Sequence, residues 1–332
     1  MADLLLIGAG FSRNWGGWLA TEAFEHLLGS PEVSKDAGLR RLLWKHQERG
    51  GFEEALAELQ TQFAQDPDTA RGPLMALQDA VKRMFNDMNT AFMATTDWQF
   101  GQQYIERQIG TFLTRFDAIF TLNQDVLLEH HYANDNVALI SNKKWAGPQL
   151  PGMRRIPGHE PLHANSWSRS TWRPLPDDGF EADGRFQPIY KLHGSSNWIR
   201  EDGQPMLIIG GAKVREIGQT PILNWYFKIF EESLTKGDAK LMVIGYGFRD
   251  EHINAAIARG VEKGLRLFIV APEGAELGRR LNPNRAPGHI LAPTPLEGMV
   301  EESLIGASRR GLRETFGYDD AEFAKVMRFF AA

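Results

Sequence analysis

Four short, mostly apolar segments of this chain each run into a glycine-rich or polar loop, and this pattern constrains the fold more than any other feature. Continuous apolar runs of this length are typical of strands that are buried on both faces of a parallel sheet. Helical patterns separate the runs, so the sequence predicts an α/β fold with a parallel sheet flanked by helices. The segments and their loops are residues 4–7 with 8–12, 118–121 with 122–125, 189–192 with 193–195, and 241–244 with 245–248.

The loops after these strands carry residue types that handle a nucleotide. In an open, Rossmann-like parallel sheet, the carboxyl ends of the strands border the ligand crevice. The glycine turn at 8–10, the pair Asn123 and Asp125, and His193 are therefore expected to face one pocket. This convergence predicts an enzyme that handles NAD.

The whole chain, 1–332, is predicted to form one domain with additions to the sheet. Apolar residues recur at helical spacing through 35–93, which predicts a helical insertion. Residues 142–186 are rich in proline and tryptophan with little periodicity, which predicts an irregular cover segment. Residues 297–332 are predicted to form C-terminal helices. The elements predicted beyond the four strands include helices at 98–115, 126–132, 222–234, 250–263, 297–307 and 319–330, and a strand at 265–270.

Composition excludes several classes of function. The 332 residues carry a net charge of −5, whereas broad nucleic-acid binding needs a basic surface, so no direct nucleic-acid partner is expected. The absence of cysteine excludes disulfides, thiolate zinc sites and cysteine nucleophiles. We expect no membrane span and no signal peptide, and hence a cytoplasmic protein.

The glycine turn at 8–10 has two interpretations. Glycines between a buried strand and a helix let backbone amides approach a pyrophosphate at the helix N-terminus. Tight turns between a strand and a helix also need glycine for packing alone. The usual dinucleotide fingerprint has a third glycine where this chain has Arg13, so the fingerprint is incomplete.

The polar residues after the second and third strands also have structural alternatives. Asn123 and Asp125 lie where a side chain caps the next helix. His193 is either a structural hydrogen-bonding residue or a proton acceptor, because the unperturbed pKa of histidine suits proton transfer near neutral pH. The residues alone leave both alternatives open.

A further polar group follows the fourth strand. Asp250 is expected to cap the next helix, with Asn254 on the same face, and either residue can reach a ribose. Asp250 and His252 are two apart and diverge on a helix, which argues against a shared metal ion. The histidines at 130–131 and 159–163 match no strong ligand spacing, so no metal site is expected.

Together the four loops resemble the sirtuin-like family, specifically its bacterial NAD hydrolases of anti-phage defence. The matching segments are 7–12, 121–125, 191–195 with Trp198, and 245–254. They follow the family's order and extend over most of the chain. Each segment is short, and the ordered set is much more specific than any one of them.

The resemblance implies roles for residues in these segments. Asn123 and His193 would be catalytic: Asn123 would position the nicotinamide ribose and the attacking water, and His193 would act as the general base. Asp125 would hold the nicotinamide carboxamide. The residues implied to bind NAD, which is a substrate rather than a bound cofactor, are Gly8, Ala9, Gly10, Phe11, Ser12, Asp125, Gly194, Gly245, Phe248 and Val270.

Two departures separate the chain from the protein deacylases of this family. Those enzymes usually carry a four-cysteine zinc module, which this chain lacks, and usually have glutamine where Leu122 stands. Both departures favour NAD hydrolysis over peptide deacylation. The chemistry agrees, because the nicotinamide leaving group is already cationic and needs no general acid.

We therefore expect an NAD glycohydrolase that releases nicotinamide and ADP-ribose, or its cyclic form, and depletes NAD in abortive infection. Two alternatives stay open: ADP-ribosyl transfer or deacylation of a protein, and a nucleotide-sensing scaffold without activity. The family implies a separately encoded partner, such as a ring-shaped ATPase or an Argonaute-like protein. Homo-oligomers, or a gate formed by 35–93 or 142–186, are expected to hold the enzyme inactive until triggered.

Overall fold

The computed structural model describes residues 2–47, 51–133, 144–156, 167–176, 179–210, 213–282 and 293–331. Seven strands form a central sheet in which all neighbours run parallel. This sheet, flanked by helices, confirms the predicted α/β, Rossmann-like fold. The strands of the described residues are β1 (Ala2–Ile7), β2 (Ala118–Thr121), β3 (Pro148–Gln149), β4 (Met153–Arg155), β5 (Trp172–Pro174), β6 (Gln187–Lys191), β7 (Gly194–Ile199), β8 (Pro205–Leu207), β9 (Ala239–Ile244), β10 (Arg266–Val270) and β11 (Leu304–Ser308).

The strand order of the central sheet places a crevice at its middle. The order is β11-β10-β9-β1-β2-β6-β3. The chain passes from β1 to β2, forms the edge strand β3, comes back to β6 beside β2, and then crosses to the other side of β1 at β9. In doubly wound folds, such a reversal opens a crevice outside the carboxyl ends of the strands, where ligands bind. The glycine turn at 8–10 and Gly245 lie at this point.

The central strands are apolar because both faces of the sheet are covered. Phe120 of β2 packs on Phe230, with ring centroids 4.9 Å apart. The register aligns Phe120 with Ile269 through β1 and β9, so the adjacent Phe268 points to the opposite face. There Phe268 contacts Phe329, with centroids 6.1 Å apart.

Helices cover the two faces. The helix Pro221–Thr235 packs against β6, β9 and the helix Glu251–Val261. Among the described residues, no helix combines the length and apolar character needed to cross a membrane. The α-helices are α1 (Ala9–Ser12), α2 (Ala20–Gly29), α3 (Pro31–Ser34), α4 (Ala37–Lys45), α5 (Phe52–Gln65), α6 (Pro67–Ala94), α7 (Ile109–Leu113), α8 (Lys213–Gln219), α9 (Pro221–Thr235), α10 (Glu251–Val261), α11 (Leu277–Arg280), α12 (Pro295–Ser303), α13 (Leu312–Gly317) and α14 (Asp320–Met327).

The two segments predicted as additions have different structures. The described residues of 35–93 are helical, and α5 and α6 pack against each other between β1 and β2 in the chain. The described residues of 142–186 contain β3, β4 and β5. Strands β4 and β5 join β7 and β8 in a second sheet of order β4-β5-β7-β8. The histidines at 159–163 lie outside the described residues.

The predicted helix at 98–115 is wrong for most of its length. The structure has a 3-10 helix at Ile105–Arg107 and the short α7 at Ile109–Leu113. Phe100 and Gly101 have φ of 54° and 69°. These left-handed backbone conformations cannot continue a right-handed helix, so the chain turns there instead.

Two further predicted helices also differ from the structure. At 297–307 the helix ends at Ser303, and Leu304–Ser308 is strand β11, paired parallel with β10. The described residues of the predicted helical segment 297–332 are thus not purely helical, although α13 and α14 follow β11. At 126–132 the helical turn is a π-helix over Leu128–Ala133. Such turns occur frequently at functional sites.

Candidate functional site

A hydrogen-bonded cluster of Ser12, Asn123 and Asp125 joins the first two loops at the crevice. The Ser12 hydroxyl donates to Asp125 Oδ2 (2.8 Å), and the Asn123 side-chain amide donates to Ser12 Oγ (2.9 Å). Ser12 and Asp125 are 3% and 7% exposed, and Asn123 is half-buried. The structure thus brings three predicted site residues together, as expected at the carboxyl ends of neighbouring parallel strands.

Hydrogen bonds with Leu127 and Lys191 also hold Asp125 in place. Its Oδ1 accepts a hydrogen bond from the Leu127 amide (3.0 Å), so the carboxylate shapes the turn into the π-helix. Lys191 Nζ donates to the Asp125 carbonyl (2.6 Å) and to Glu129 Oε1 (2.6 Å). Burial raises the pKa of Asp125, while the Lys191 charge and the hydrogen bonds from Leu127 and Ser12 oppose this.

The glycines at 8, 10 and 245 let the first and fourth loops pack directly on each other. A Cβ on Gly8 would lie 2.6 Å from Gly245 O, and one on Gly10 would lie 2.7 Å from Gly245 Cα. The Gly10 amide donates to Gly245 O (2.9 Å), and the Phe11 amide donates to Gly8 O (2.9 Å). Packing therefore requires these glycines, and the amides of Gly10 and Phe11 are engaged within the protein.

His193 follows β6, and two hydrogen bonds to its carbonyl fix its backbone. Its carbonyl accepts hydrogen bonds from the Gln124 side chain (3.1 Å) and the Ile208 amide (3.0 Å). The next residue, Gly194, has φ of 75°, and a Cβ there would collide with Met206 O. His193 is 3% exposed. Burial, and then the charge of Lys213, lowers the pKa of His193 to about 3, so the ring is neutral at physiological pH.

The His193 imidazole contacts a second imidazole. His193 Nε2 lies 3.2 Å from His252 Nε2. His252 is half-buried near the start of α10, and its ring packs on Phe227, with centroids 5.6 Å apart. Burial also lowers the pKa of His252. Two neutral rings therefore share one hydrogen bond.

Next to this histidine pair, Lys213 links two distant parts of the chain. Its Nζ lies 2.7 Å from Asp250 Oδ1 and 2.7 Å from Glu53 Oε2 of α5. Burial works against the charge of Lys213, but the two carboxylates outweigh it and raise the pKa of Lys213. The predicted capping role of Asp250 is wrong: its backbone begins α10, but its carboxylate makes no capping bond and pairs with Lys213.

The fourth loop is held by a small polar network. The Gly245 amide donates to the Val270 carbonyl (3.0 Å). Asn254 donates to the Phe248 carbonyl (2.9 Å) and accepts a hydrogen bond from the Tyr246 hydroxyl (2.9 Å). Phe248 is buried, with φ of 52°, and its ring lies against that of Tyr246. The network preserves the left-handed turn at Phe248, and its contact with an adenosine stays a prediction.

The sequence also matches a known family. The family model of the SIR2-like domain matches residues 117–284, which is just over half of the chain. The chain belongs to the SIR2-like family. A search of curated proteins found no match. The matched SIR2-like segment contains the loops of Asn123, His193 and Gly245, whereas the glycine turn at 8–10 precedes it.

Membership of the SIR2-like family indicates an NAD-related, sirtuin-like enzyme, since SIR2-like domains use NAD as a substrate. In the described part of this SIR2-like chain, no cluster of three or more histidine, aspartate or glutamate side chains is arranged to hold a metal. His130 and His131 have other contacts: His130 Nδ1 lies 3.0 Å from Ser168 Oγ, and His131 Nε2 lies 2.9 Å from the Phe92 carbonyl.

Two open cavities of the SIR2-like chain lie away from the clustered site residues. One, of about 420 Å³, is lined by residues 95–99, Gly101, Gln102, His130 and His131. The other, of about 440 Å³, lies beside β11 and is lined by Arg309 and Lys325 among others. Neither lining includes Asn123 or His193. Ser12, Asp125 and His193 are themselves buried.

The contacts of Lys191 and Lys213 were not predicted from the SIR2-like motifs. Lys191 precedes Leu192-His193 in a recognised segment, and a lysine in an otherwise apolar strand is a signal of a buried ion pair. Lys213 has no comparable signal, because its partners Glu53 and Asp250 are distant in sequence. The predicted roles of the NAD-contacting residues remain predictions.

Proposed function

We propose that this SIR2-like protein is an NAD glycohydrolase that cleaves NAD to nicotinamide and ADP-ribose. One observation carries the proposal: Ser12, Asn123 and Asp125 form a hydrogen-bonded cluster at the sheet crevice, next to β6, and the neutral, buried His193 follows β6. Amide, carboxylate and neutral imidazole are the groups that the reaction needs for orientation and proton acceptance.

The residues fit NAD in a defined manner. The half-buried Asn123 is the most accessible member of the cluster, and it positions the nicotinamide ribose and the attacking water. Asp125 holds the nicotinamide carboxamide. To accept a hydrogen bond from this amide, Asp125 Oδ2 either gives up its hydrogen bond from Ser12 or accepts the amide with its second lone pair. The amides of Gly10 and Phe11 already donate hydrogen bonds within the protein. The phosphates of NAD therefore bind to the other hydrogen-bond donors of the first loop.

His193 supplies the proton acceptor. In the reaction, the bond between nicotinamide and the ribose carbon breaks, and its electron pair leaves with nicotinamide, which becomes neutral. The water oxygen bonds to the same carbon, and its proton passes to His193 and then to solvent. Burial keeps His193 neutral and thus able to accept that proton, although it also makes the ring a weak base.

The shielded cluster suits an enzyme that is inactive until triggered. We place this activity in anti-phage defence, where NAD depletion stops infection, with homo-oligomers or a separately encoded ATPase or Argonaute-like partner as the trigger. The segments 35–93 and 142–186 are the proposed gates. The contact of Glu53 in α5 with Lys213 supports a role for the first of these segments, because it ties that segment to the surroundings of His193.

The test is nicotinamide release from NAD, measured by chromatography, with purified wild-type protein and the variants Asn123→Ala and His193→Ala. We expect each variant to lose at least roughly a hundredfold in rate, because His193→Ala removes the proton acceptor and Asn123→Ala removes the group that orients the ribose and the water. His26→Ala in α2 is the matched control and should retain activity. Release that persists in His193→Ala would contradict the proposal, as would the absence of NAD binding by calorimetry. Release only in the presence of an acceptor protein would indicate ADP-ribosyl transfer or deacylation instead.

A further inference from the structure

The contact between His193 and His252 has no role in the reaction as proposed above. His193 is 3% exposed, and its Nε2 lies 3.2 Å from His252 Nε2. The two rings are tilted by 39°, with centroids 5.4 Å apart, so the contact is made by nitrogen atoms and not by stacked ring faces. A hydrogen bond at the reacting nitrogen of a base determines where that base carries its proton.

Both histidines are held in place from outside the pair. The His193 backbone is fixed by Gln124 and Ile208. On the other side, the start of α10 is fixed at Asp250, whose carboxylate binds Lys213 Nζ (2.7 Å) and whose amide donates to the Tyr246 hydroxyl (3.1 Å). The meeting of the two Nε2 atoms therefore follows from the architecture of the two loops.

A neutral imidazole carries one proton, on either Nδ1 or Nε2. Across a contact between two Nε2 atoms, one ring must donate and the other must accept. If His193 donates, its Nε2 has no free lone pair and cannot accept a proton there. If His252 donates, His193 carries its proton on Nδ1, and its Nε2 is ready to act as a base.

We propose that His252 donates its Nε2 proton to His193 Nε2 and thereby holds His193 in the tautomer that is competent as a general base. This inference rests on the proposed function, because it assigns the proton-accepting atom of that reaction. His252 is a positioning residue: it acts through His193. On substrate binding, the attacking water replaces His252 as donor to Nε2, and its proton moves to this nitrogen as its oxygen bonds to the ribose carbon.

The first test reads the tautomer directly and needs no turnover. Protein with ¹⁵N-labelled histidine is studied by imidazole ¹⁵N–¹H correlation spectra, with His193→Gln used to assign the His193 signals. We expect the wild type to show a protonated Nδ1 and an unprotonated Nε2 at His193. His252→Phe, which keeps a ring but removes the donor, should shift His193 towards the other tautomer. His252→Gln, whose amide can donate, and Glu251→Gln, an exposed neighbour, should retain the wild-type pattern.

The second test is steady-state kinetics of nicotinamide release with the same variants. We expect His252→Phe to lower kcat roughly tenfold or more with little change in KM, and His252→Gln to recover most of this loss. A His193 spectrum that is the same in wild type and His252→Phe would overturn the inference, and so would a wild type with Nε2 protonated. If the tautomer responds but the wild type neither binds nor cleaves NAD, the NAD glycohydrolase proposal fails while the pairing stands.

Discussion

Replacing Lys191 by methionine should destabilise the protein strongly, because it breaks a buried ion pair from one side only. The side chains of Lys191 and Glu129 are 2% and 3% exposed, and their charged atoms are 2.6 Å apart. Removing one partner of a buried pair typically costs about 3–5 kcal/mol, since the other charge is left without compensation. The Asp125 carbonyl also loses a donor, which costs about 1 kcal/mol more.

The pH dependence of this cost has a definite sign. Burial raises the pKa of Glu129, and Lys191 opposes that shift. Without Lys191 the folded protein keeps Glu129 protonated at pH values where the unfolded chain, with a pKa of about 4.3, has released the proton. A raised folded pKa gives stability that is present at low pH and lost as pH rises. The loss in free energy of unfolding caused by Lys191→Met should therefore shrink by up to about 1.4 kcal/mol per pH unit as the pH falls from 8 to 5.

The assay is urea unfolding followed by tryptophan fluorescence at several pH values. The double variant Lys191→Met with Glu129→Gln should be at least about 1 kcal/mol more stable at pH 8 than the single variant, because no unpaired charge remains. Arg185→Met is the matched control: its partner Asp183 is on the surface, and the free energy of unfolding should barely change. A Lys191→Met variant as stable as Arg185→Met, or a deficit that grows at low pH, would refute the reasoning.

Three further outcomes follow from the site. Gly245→Ala should lower the free energy of unfolding by more than about 2 kcal/mol in urea titration, because Gly245 has φ of 66° and an added Cβ would collide with the backbone of Gly10 and Phe11. Gly247→Ala is the control and should be nearly neutral, because an added Cβ there would meet no atom within 4 Å. Ser12→Ala should cost about 1–3 kcal/mol in the same assay and weaken NAD binding by calorimetry, since Asp125 loses a buried donor. The His193 ring should stay neutral in NMR titrations from pH 8 to 5, and stability should fall with pH below about 6.5, where only the unfolded chain gains that proton. A His193 signal that titrates near pH 6.5 would contradict this burial argument.

The buried strands were predictable because a short run of apolar residues indicates a strand that is buried on both faces. The runs that became β1, β2, β6, β9 and β10 are mostly apolar and buried on both faces, with Lys191 of β6 as a charged exception. Strand β11 was missed because Leu304–Ser308 is only partly apolar and continues a helical pattern. Its strand conformation depends on pairing with β10, which is a tertiary contact.

The part of the site that lies at the carboxyl ends of the strands was predictable from the sequence. The meeting of Ser12, Asn123 and Asp125 follows from the carboxyl-end rule, which needs only the strand positions. The contact of His252 with His193 was not predictable, because it depends on how α10 is placed relative to β6. The same holds for Lys213, whose carboxylate partners come from helices far apart in the sequence.

The central position of β1 has a consequence for synthesis of the protein. β1 pairs with β2 and with β9, so its second neighbour begins only at Ala239. At about 5–20 residues per second, a ribosome needs roughly 10–50 s to make the intervening chain. During that interval one edge of an apolar strand lacks its native partner, and long-range parallel pairing is slow to form. The middle of the sheet is therefore completed late, and the nascent chain exposes an aggregation-prone edge until β9 has left the ribosome.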